Sequence, residues 1–172
     1  MSRVAILLSA SVVCGLVAGI RGGDDPSKLP LDNDFLIKMA TSNNAVISIS
    51  KIGETQGSTD VKAFAGQLVK DHQASYDKLA ELLKSRKVGV VSGTEAETKA
   101  EIKRLGELKG SDFDKEYLTW VIKEHKTNIP IFENQSKQGK DADITAYAKD
   151  NLDTSRKHLQ KAEELAKTII SK

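Results

Sequence analysis

The chain has 172 residues, of which 39% are hydrophobic and 29% charged, and its formal net charge is only +2 at pH 7. These values predict one globular domain with a core of its own. Because acidic and basic residues are mixed along the chain and only 5% of residues are aromatic, neither a basic patch nor a base-stacking platform is visible, and we expect no nucleic-acid partner.

The first 19 residues have the pattern of a secretory signal peptide. Arg3 precedes an apolar run over residues 4–20, and the small residues around Gly19 mark the expected cleavage point. A retained membrane anchor is the alternative, since the run is at the lower limit for a bilayer span. Lipid anchoring through Cys14, the only cysteine, is not expected because the residues before it differ from a lipidation signal.

We therefore expect an exported protein that is periplasmic or associated with the cell envelope. Its mature chain should have no thiol and no transmembrane segment. Residues 20–31 are predicted to form a flexible linker between the signal peptide and the folded domain.

From residue 32 onward, hydrophobic residues recur with the 3.6-residue period of α-helices. Four long helices are predicted over about residues 34–56, 60–87, 112–136 and 143–170. Turn residues keep the first and last connections short, whereas about 25 residues separate the second helix from the third. In this long connection, Thr94 and Glu97 form a capping-box pattern that predicts a short helix.

This arrangement predicts an all-α, ferritin-like four-helix bundle over residues 32–172, with a long crossover that carries the short helix. An internal repeat supports the prediction. Residues 60–69 (DVKAFAGQLV) align with residues 143–152 (DITAYAKDNL) at an offset of 83. The chain is therefore interpreted as a duplicated helical hairpin.

The three histidines of the chain all fall on the apolar faces of predicted helices. With a rise of about 1.5 Å per residue, His72, His125 and His158 lie roughly 18, 20 and 17 Å from the same end of the bundle. We therefore expect them at one level of the core. Three further polar residues are predicted to support this cluster: Asn43, Ser75 and Ser155.

A polar cluster inside an apolar core must be satisfied by hydrogen bonds, water or a metal ion. Three imidazoles could hold a single zinc or copper ion and leave a fourth position for water or Asn43. The alternative is a structural network of neutral histidines and amides. A di-iron site is not expected, because the inward faces carry no carboxylate and Asp71 and Glu124 are predicted on the flanks of their helices.

Four runs in the mature chain carry a family resemblance: FLIKMA, DVKAFAGQLVKDH, GSDFDKEYLTWVIKEHKTNIPIFE and RKHLQKAEEL. Over about residues 33–168 the sequence resembles the bacterial family called domain of unknown function 4142. The resemblance implies a ferritin-like helical fold, export from the cytoplasm and no established activity. It also implies that His72, His125 and His158 correspond to the histidines of the family.

The sequence departs from this family at several positions. Val46 and Ser48 stand where relatives tend to have glutamates in the first helix, which weighs further against a carboxylate-rich metal site. Pro130 replaces a helix-forming residue, and we expect it to kink the third long helix because proline removes one backbone hydrogen bond.

These observations favour a non-enzymatic periplasmic binding or stress-related module, with a candidate mononuclear metal site at the three histidines. A metal-dependent redox or hydrolytic enzyme is the alternative, and it would need a bound metal with an open coordination position. The sequence predicts no catalytic residue and no residue that binds an organic cofactor, and it does not identify a substrate or a protein partner. An interaction scaffold would need a contiguous exposed apolar patch, which the sequence does not visibly contain.

Overall fold

The computed structural model describes residues 32–89 and 96–170, which form five α-helices and, within those ranges, no strand. The helices are α1 (Asp32–Gln56), α2 (Thr59–Ser85), α3 (Ala96–Glu107), α4 (Gly110–Gln138) and α5 (Ala142–Ile170). The four long helices agree with their predicted limits to within two residues. The predicted signal peptide, the linker, Cys14 and Thr94 lie outside the described residues.

Hydrogen bonds at the two ends of the bundle show how the helices are connected. At one end, the backbone N–H of Ser58 before α2 donates to Asp114 near the start of α4, at 3.0 Å. At the other end, Asp32 of α1 accepts from the backbone N–H of Asp141 before α5, also at 3.0 Å. Since α2 and α4 begin at the same end, the connection between them must run the length of the bundle. This connection contains α3, whose Leu105 packs into the core. The predicted ferritin-like bundle with a helix-bearing crossover is confirmed.

The core consists of two apolar clusters. The first cluster lies toward the turn between α1 and α2 and contains Val46, Ile49, Val61, Phe64, Ala65, Leu68, Leu105, Phe113, Tyr117, Leu118, Val121, Ala162 and Leu165. The second cluster lies toward the start of α1 and contains Phe35, Leu36, Met39, Ala40, Leu79, Leu83, Ile131, Phe132, Ile144, Tyr147 and Ala148.

A layer of polar side chains separates the two clusters. Along α2, for example, Leu68 belongs to the first cluster and Leu79 to the second, and His72 lies between them. The same alternation occurs on α1, α4 and α5. We call this set the polar layer, and its members are Asn43, His72, Ser75, His125, Asn128, Ser155 and His158.

Two local features fix the ends of the first hairpin. Near one end, α1 and α2 approach so closely that a Cβ added to Gly53 would lie 2.8 Å from the Cβ of Ala65. At the other end, Arg86 donates from Nε and Nη2 to the two carboxylate oxygens of Asp141, at 2.8 and 2.6 Å. Such a bidentate pair holds the end of α2 against the start of α5.

Pro130 lies within α4 on its exposed side, and the helix continues beyond it to Gln138. The kink expected at this residue stays a prediction. Among the described residues, no helix is both long enough and apolar enough to cross a membrane.

Candidate metal site

The structure brings the three histidines together in the polar layer. The ring centroid of His72 lies 5.5 Å from that of His125 and 5.4 Å from that of His158, and the latter two centroids are 5.4 Å apart. The rings therefore form a nearly equilateral triangle contributed by α2, α4 and α5. His125 and His158 are buried, with 2% and 6% of their surface exposed, whereas His72 is partly exposed.

The sequence places these side chains inward for a simple reason. Leu68 and Val121 lie four residues before His72 and His125, and both belong to the first apolar cluster. Residues four apart share one face of an α-helix. The helix face that buries Leu68 or Val121 in the core therefore also directs the histidine one turn later into the core.

Hydrogen-bond partners define which nitrogen of His125 and His158 carries the proton. Nδ1 of His125 lies 2.9 Å from the backbone carbonyl oxygen of Val121, which can only accept, so Nδ1–H donates and Nε2 keeps its lone pair. Nε2 of His158 lies 3.0 Å from a carboxylate oxygen of Asp71. It therefore donates to Asp71, and the lone pair of His158 is on Nδ1.

The proton of the third imidazole, that of His72, is fixed by a hydrogen bond to Asn43. The amide nitrogen of Asn43 donates to the backbone carbonyl of Met39 at 3.0 Å, so the amide oxygen is left to face His72. Nδ1 of His72 lies 2.8 Å from this oxygen and must be its donor. The lone pair of His72 is then on Nε2, which is buried and has no hydrogen-bond partner.

Three nitrogen lone pairs consequently converge inside the triangle. The nitrogens that could each offer a ligand atom all lie within 4.8 Å of one another. Nε2 of His125 and Nδ1 of His158 are 3.3 Å apart, and with their protons directed outward neither can donate to the other. For metal–nitrogen bonds of about 2.0 Å, bound imidazole nitrogens are separated by about 3.3–3.5 Å. The nitrogens of His125 and His158 already have that spacing, so any contraction on binding an ion would be at His72.

The electrostatics of the polar layer favour neutral imidazoles. Burial lowers the pKa of His125 from 6.5 to about 4, and the nearby His158 acts in the same direction. Burial likewise lowers the pKa of His158, against the opposing hydrogen bond from Asp71, and lowers that of His72 well below its usual value. At neutral pH the three rings therefore present lone pairs rather than positive charges, as metal ligands must.

A second group of hydrogen bonds anchors Asn43. Its amide nitrogen lies 3.4 Å from the hydroxyl of Ser75 and 3.3 Å from that of Tyr147, and these two hydroxyls are 2.7 Å apart. The predicted supporting residues Asn43 and Ser75 thus belong to the network around His72. Ser155 is buried in the same layer, but the structure shows no hydrogen bond between it and a histidine.

Sequence reasoning missed the contribution of Asp71. The residue does lie on the flank of α2, partly exposed, yet its side chain reaches across to α5 and fixes the orientation of His158. Carboxylate–histidine pairs of this kind commonly orient metal ligands. Glu124, the other flanking acid, instead accepts from Ser42 at 2.7 Å and from Asn128 at 2.9 Å. Neither carboxylate faces the converging lone pairs.

A groove between α2 and α5 reaches the outer edge of this site at His158. Its volume is about 530 Å³, and its floor includes both Asp71 and His158. An ion could therefore approach His158 from the side occupied by Asp71. The groove rim also carries Lys78, Lys157 and Lys161.

Comparisons with solved structures show relatives of the same fold. A DUF305 fragment from Deinococcus radiodurans has a TM-score of 0.71 at 13% identity, with 81% of this chain and 97% of that chain covered. CopM in its Cu(I)-bound form has a TM-score of 0.69 at 12% identity, with the same coverage. A conserved hypothetical protein, rv2844, from Mycobacterium tuberculosis has a TM-score of 0.59 at 15% identity, covering 78% and 96%. At such low identity these matches establish the fold alone.

The curated proteins include no match to this chain. The family described as Domain of unknown function (DUF4142) matches residues 23–165, which include all the helices of the bundle except the end of α5. The chain therefore belongs to this family, as its sequence runs predicted.

Proposed function

We propose that the protein binds a single copper or zinc ion through Nε2 of His72, Nε2 of His125 and Nδ1 of His158. The observation that carries this proposal is the outward direction of all three N–H groups, which leaves three lone pairs facing one another. Acceptors in contact within a core need a hydrogen-bond donor or a cation between them. A metal ion supplies that cation and also satisfies the orphaned Nε2 of His72.

The fold supports this assignment. CopM, which shares the bundle at 12% identity, has been solved with Cu(I), Ag and Cu(II) bound. A bundle of this size and connectivity can therefore hold copper-group ions. The ligands proposed for the present chain rest on its own geometry, because the low identity does not transfer individual residues.

We further propose that the role is non-enzymatic: an exported binding or stress-related module that holds the ion within the cell envelope. A metalloenzyme must offer its substrate an open coordination position. Here the imidazoles of His125 and His158 are almost fully buried between two apolar clusters. The groove between α2 and α5 reaches the outer nitrogen of His158 and not the converging lone pairs, which suits a storage or buffering site better than a site for substrate.

Metal titration of chelator-treated protein tests the proposal. Copper or zinc at one hundred times its Kd should raise the free energy of unfolding by about 2.7 kcal/mol and the melting temperature by about 5–10 °C. Elemental analysis should find one ion per chain. The His125→Ala variant should lose both effects, because only two ligands remain.

Ser50→Ala is the matched control. Ser50 is a fully buried polar residue that bonds to Tyr117 rather than to the polar layer. Its removal should lower the melting temperature of the metal-free protein but keep the metal-induced rise. If neither copper nor zinc binds stoichiometrically, or if His125→Ala binds as well as the wild type, the three histidines form a hydrogen-bonded network and the proposal is wrong.

A further inference from the structure

The inward-facing donor set of the site consists of three neutral nitrogens. The oxygen atoms that contact the rings belong to Asn43, Val121 and Asp71, and each already accepts an N–H from the ring it touches. In the described part of the chain, no fourth histidine, cysteine, aspartate or glutamate joins the triangle. A bound ion would therefore have three protein ligands, and any fourth ligand would have to come from solvent.

Coordination number then separates the candidate ions. Zn²⁺ almost always takes four ligands, and Cu²⁺ prefers tetragonal sites with at least four. Cu⁺ and Ag⁺ have filled d shells, carry a single charge and are stable with two or three ligands. Imidazole alone does not discriminate, since it suits zinc as well as copper. The enclosure of the site between the two apolar clusters is what makes a fourth, solvent-derived ligand costly.

Charge points in the same direction. The cost of moving an ion from water into an apolar medium rises with the square of its charge, so a divalent ion loses about four times as much solvation as a monovalent ion of equal size. The carboxylate that contacts the triad is Asp71, which lies on the outer nitrogen of His158. One negative charge balances a monovalent ion and leaves a divalent ion with an uncompensated positive charge in the core.

We propose that this site is selective for monovalent ions of the copper group, Cu⁺ and Ag⁺, over Zn²⁺ and Cu²⁺, with Asp71 as the residue that balances the charge of the bound ion. The inference rests on the proposed function and narrows it to one class of ion. Asp71 acts through His158 and does not itself coordinate the ion, so it is a positioning residue.

Competition titrations measure the selectivity directly. Chelator-treated full-length protein is titrated without oxygen against a chromophoric Cu⁺ chelator, and in parallel against a chromophoric Zn²⁺ chelator. We expect one Cu⁺ per chain, bound at least about 100-fold more tightly than Zn²⁺. Ag⁺ should displace Cu⁺ stoichiometrically, and X-ray absorption of the Cu⁺ form should show three nitrogen ligands.

Asp71→Asn tests the charge argument, because asparagine keeps an oxygen that can accept from His158 but removes the negative charge. The variant should bind Cu⁺ about 10–100-fold more weakly, the usual range for residues that support a metal ligand. Asp150→Asn is the matched control, since Asp150 is an exposed acid on the same groove without a contact to a ring. Its Cu⁺ affinity should equal that of the wild type.

The possible outcomes distinguish the two proposals. If Zn²⁺ binds as tightly as Cu⁺ and His125→Ala abolishes both, the metal site stands and its selectivity is refuted. If Cu⁺ is preferred but Asp71→Asn binds it unchanged, the charge-balancing role of Asp71 is refuted. If no ion binds to the wild-type protein, the proposed function fails together with this inference.

Discussion

Lowering the pH should destabilise the metal-free protein through the protonation of His125. This side chain is 2% exposed, and burial lowers its pKa from 6.5 to about 4. In the unfolded chain the same imidazole has its ordinary pKa of about 6.5. Between these two pH values the unfolded state binds a proton that the folded state does not.

The sign and size of the effect follow from this difference. The contribution of His125 to stability is fully present above about pH 6.5 and decreases as the pH falls toward 4. Each pH unit within the window changes the free energy of unfolding by about 1.4 kcal/mol, so His125 alone accounts for a loss of about 2 kcal/mol between pH 7 and pH 5. Burial also lowers the pKa values of His72 and His158, which add to the loss.

Urea denaturation of chelator-treated protein at pH 7 and pH 5 measures this loss, with His125→Leu as the reference. Leucine fills a similar volume and cannot titrate, while the carboxylates titrate alike in both proteins. The free energy of unfolding should fall by about 2 kcal/mol more in the wild type than in the variant. Equal falls would refute the conclusion that a neutral His125 is enclosed in the folded core.

Three further predictions concern the fold and are measured by urea denaturation at pH 7. Gly53→Ala should lower the free energy of unfolding by about 1–3 kcal/mol, because the added methyl overlaps an alanine of α2 and the ring of Tyr117. In Gly66→Ala, the added Cβ meets only the flexible end of a glutamate, so this control should be neutral or stabilised by up to about 1 kcal/mol. Arg86→Ala should cost about 1 kcal/mol by removing the partly exposed bidentate pair with Asp141, and high salt should reduce the difference from the wild type. Tyr117→Phe should cost about 1 kcal/mol, because a buried serine hydroxyl of α1 loses its partner; an unchanged stability would argue against that hydrogen bond.

The fold could be predicted from the sequence because it depends on a long-range pattern that the chain repeats many times. Each long helix presents several turns of apolar residues at the helical period, so single exceptions do not obscure its limits. The crossover was predicted because the connection between the second and third long helices is much longer than the other two connections. Given the lengths of the helices and of their connections, side-by-side packing is enough to predict the bundle.

The site was predictable only as far as it depends on helix geometry. The positions of His72, His125 and His158 on their helices define their face and their level, and both follow from helical pitch and rise. The directions of the ring protons of His72 and His158 depend instead on contacts between helices, whereas that of His125 depends on a carbonyl of its own helix. Asp71 lies about 100° away from the inward face of α2, and its contact with His158 becomes visible only when α5 is placed beside it.

The internal repeat explains why the polar layer lies at one level and why it differs between the two hairpins. An offset of 82 or 83 residues pairs Asn43 with His125 and His72 with Ser155, so the repeat pattern predicts polar side chains at the same level in both halves. In the first half, the amide oxygen of Asn43 accepts a hydrogen bond from Nδ1–H of His72, and Nε2 of His72 is left without a partner. The corresponding residue of the second half, His125, donates to the backbone carbonyl of Val121 in its own helix and turns a lone pair inward toward that of His158. Asparagine at the second position would offer its own N–H donors, whereas a histidine with its proton turned outward offers only an acceptor, which a water molecule or a metal ion would have to satisfy.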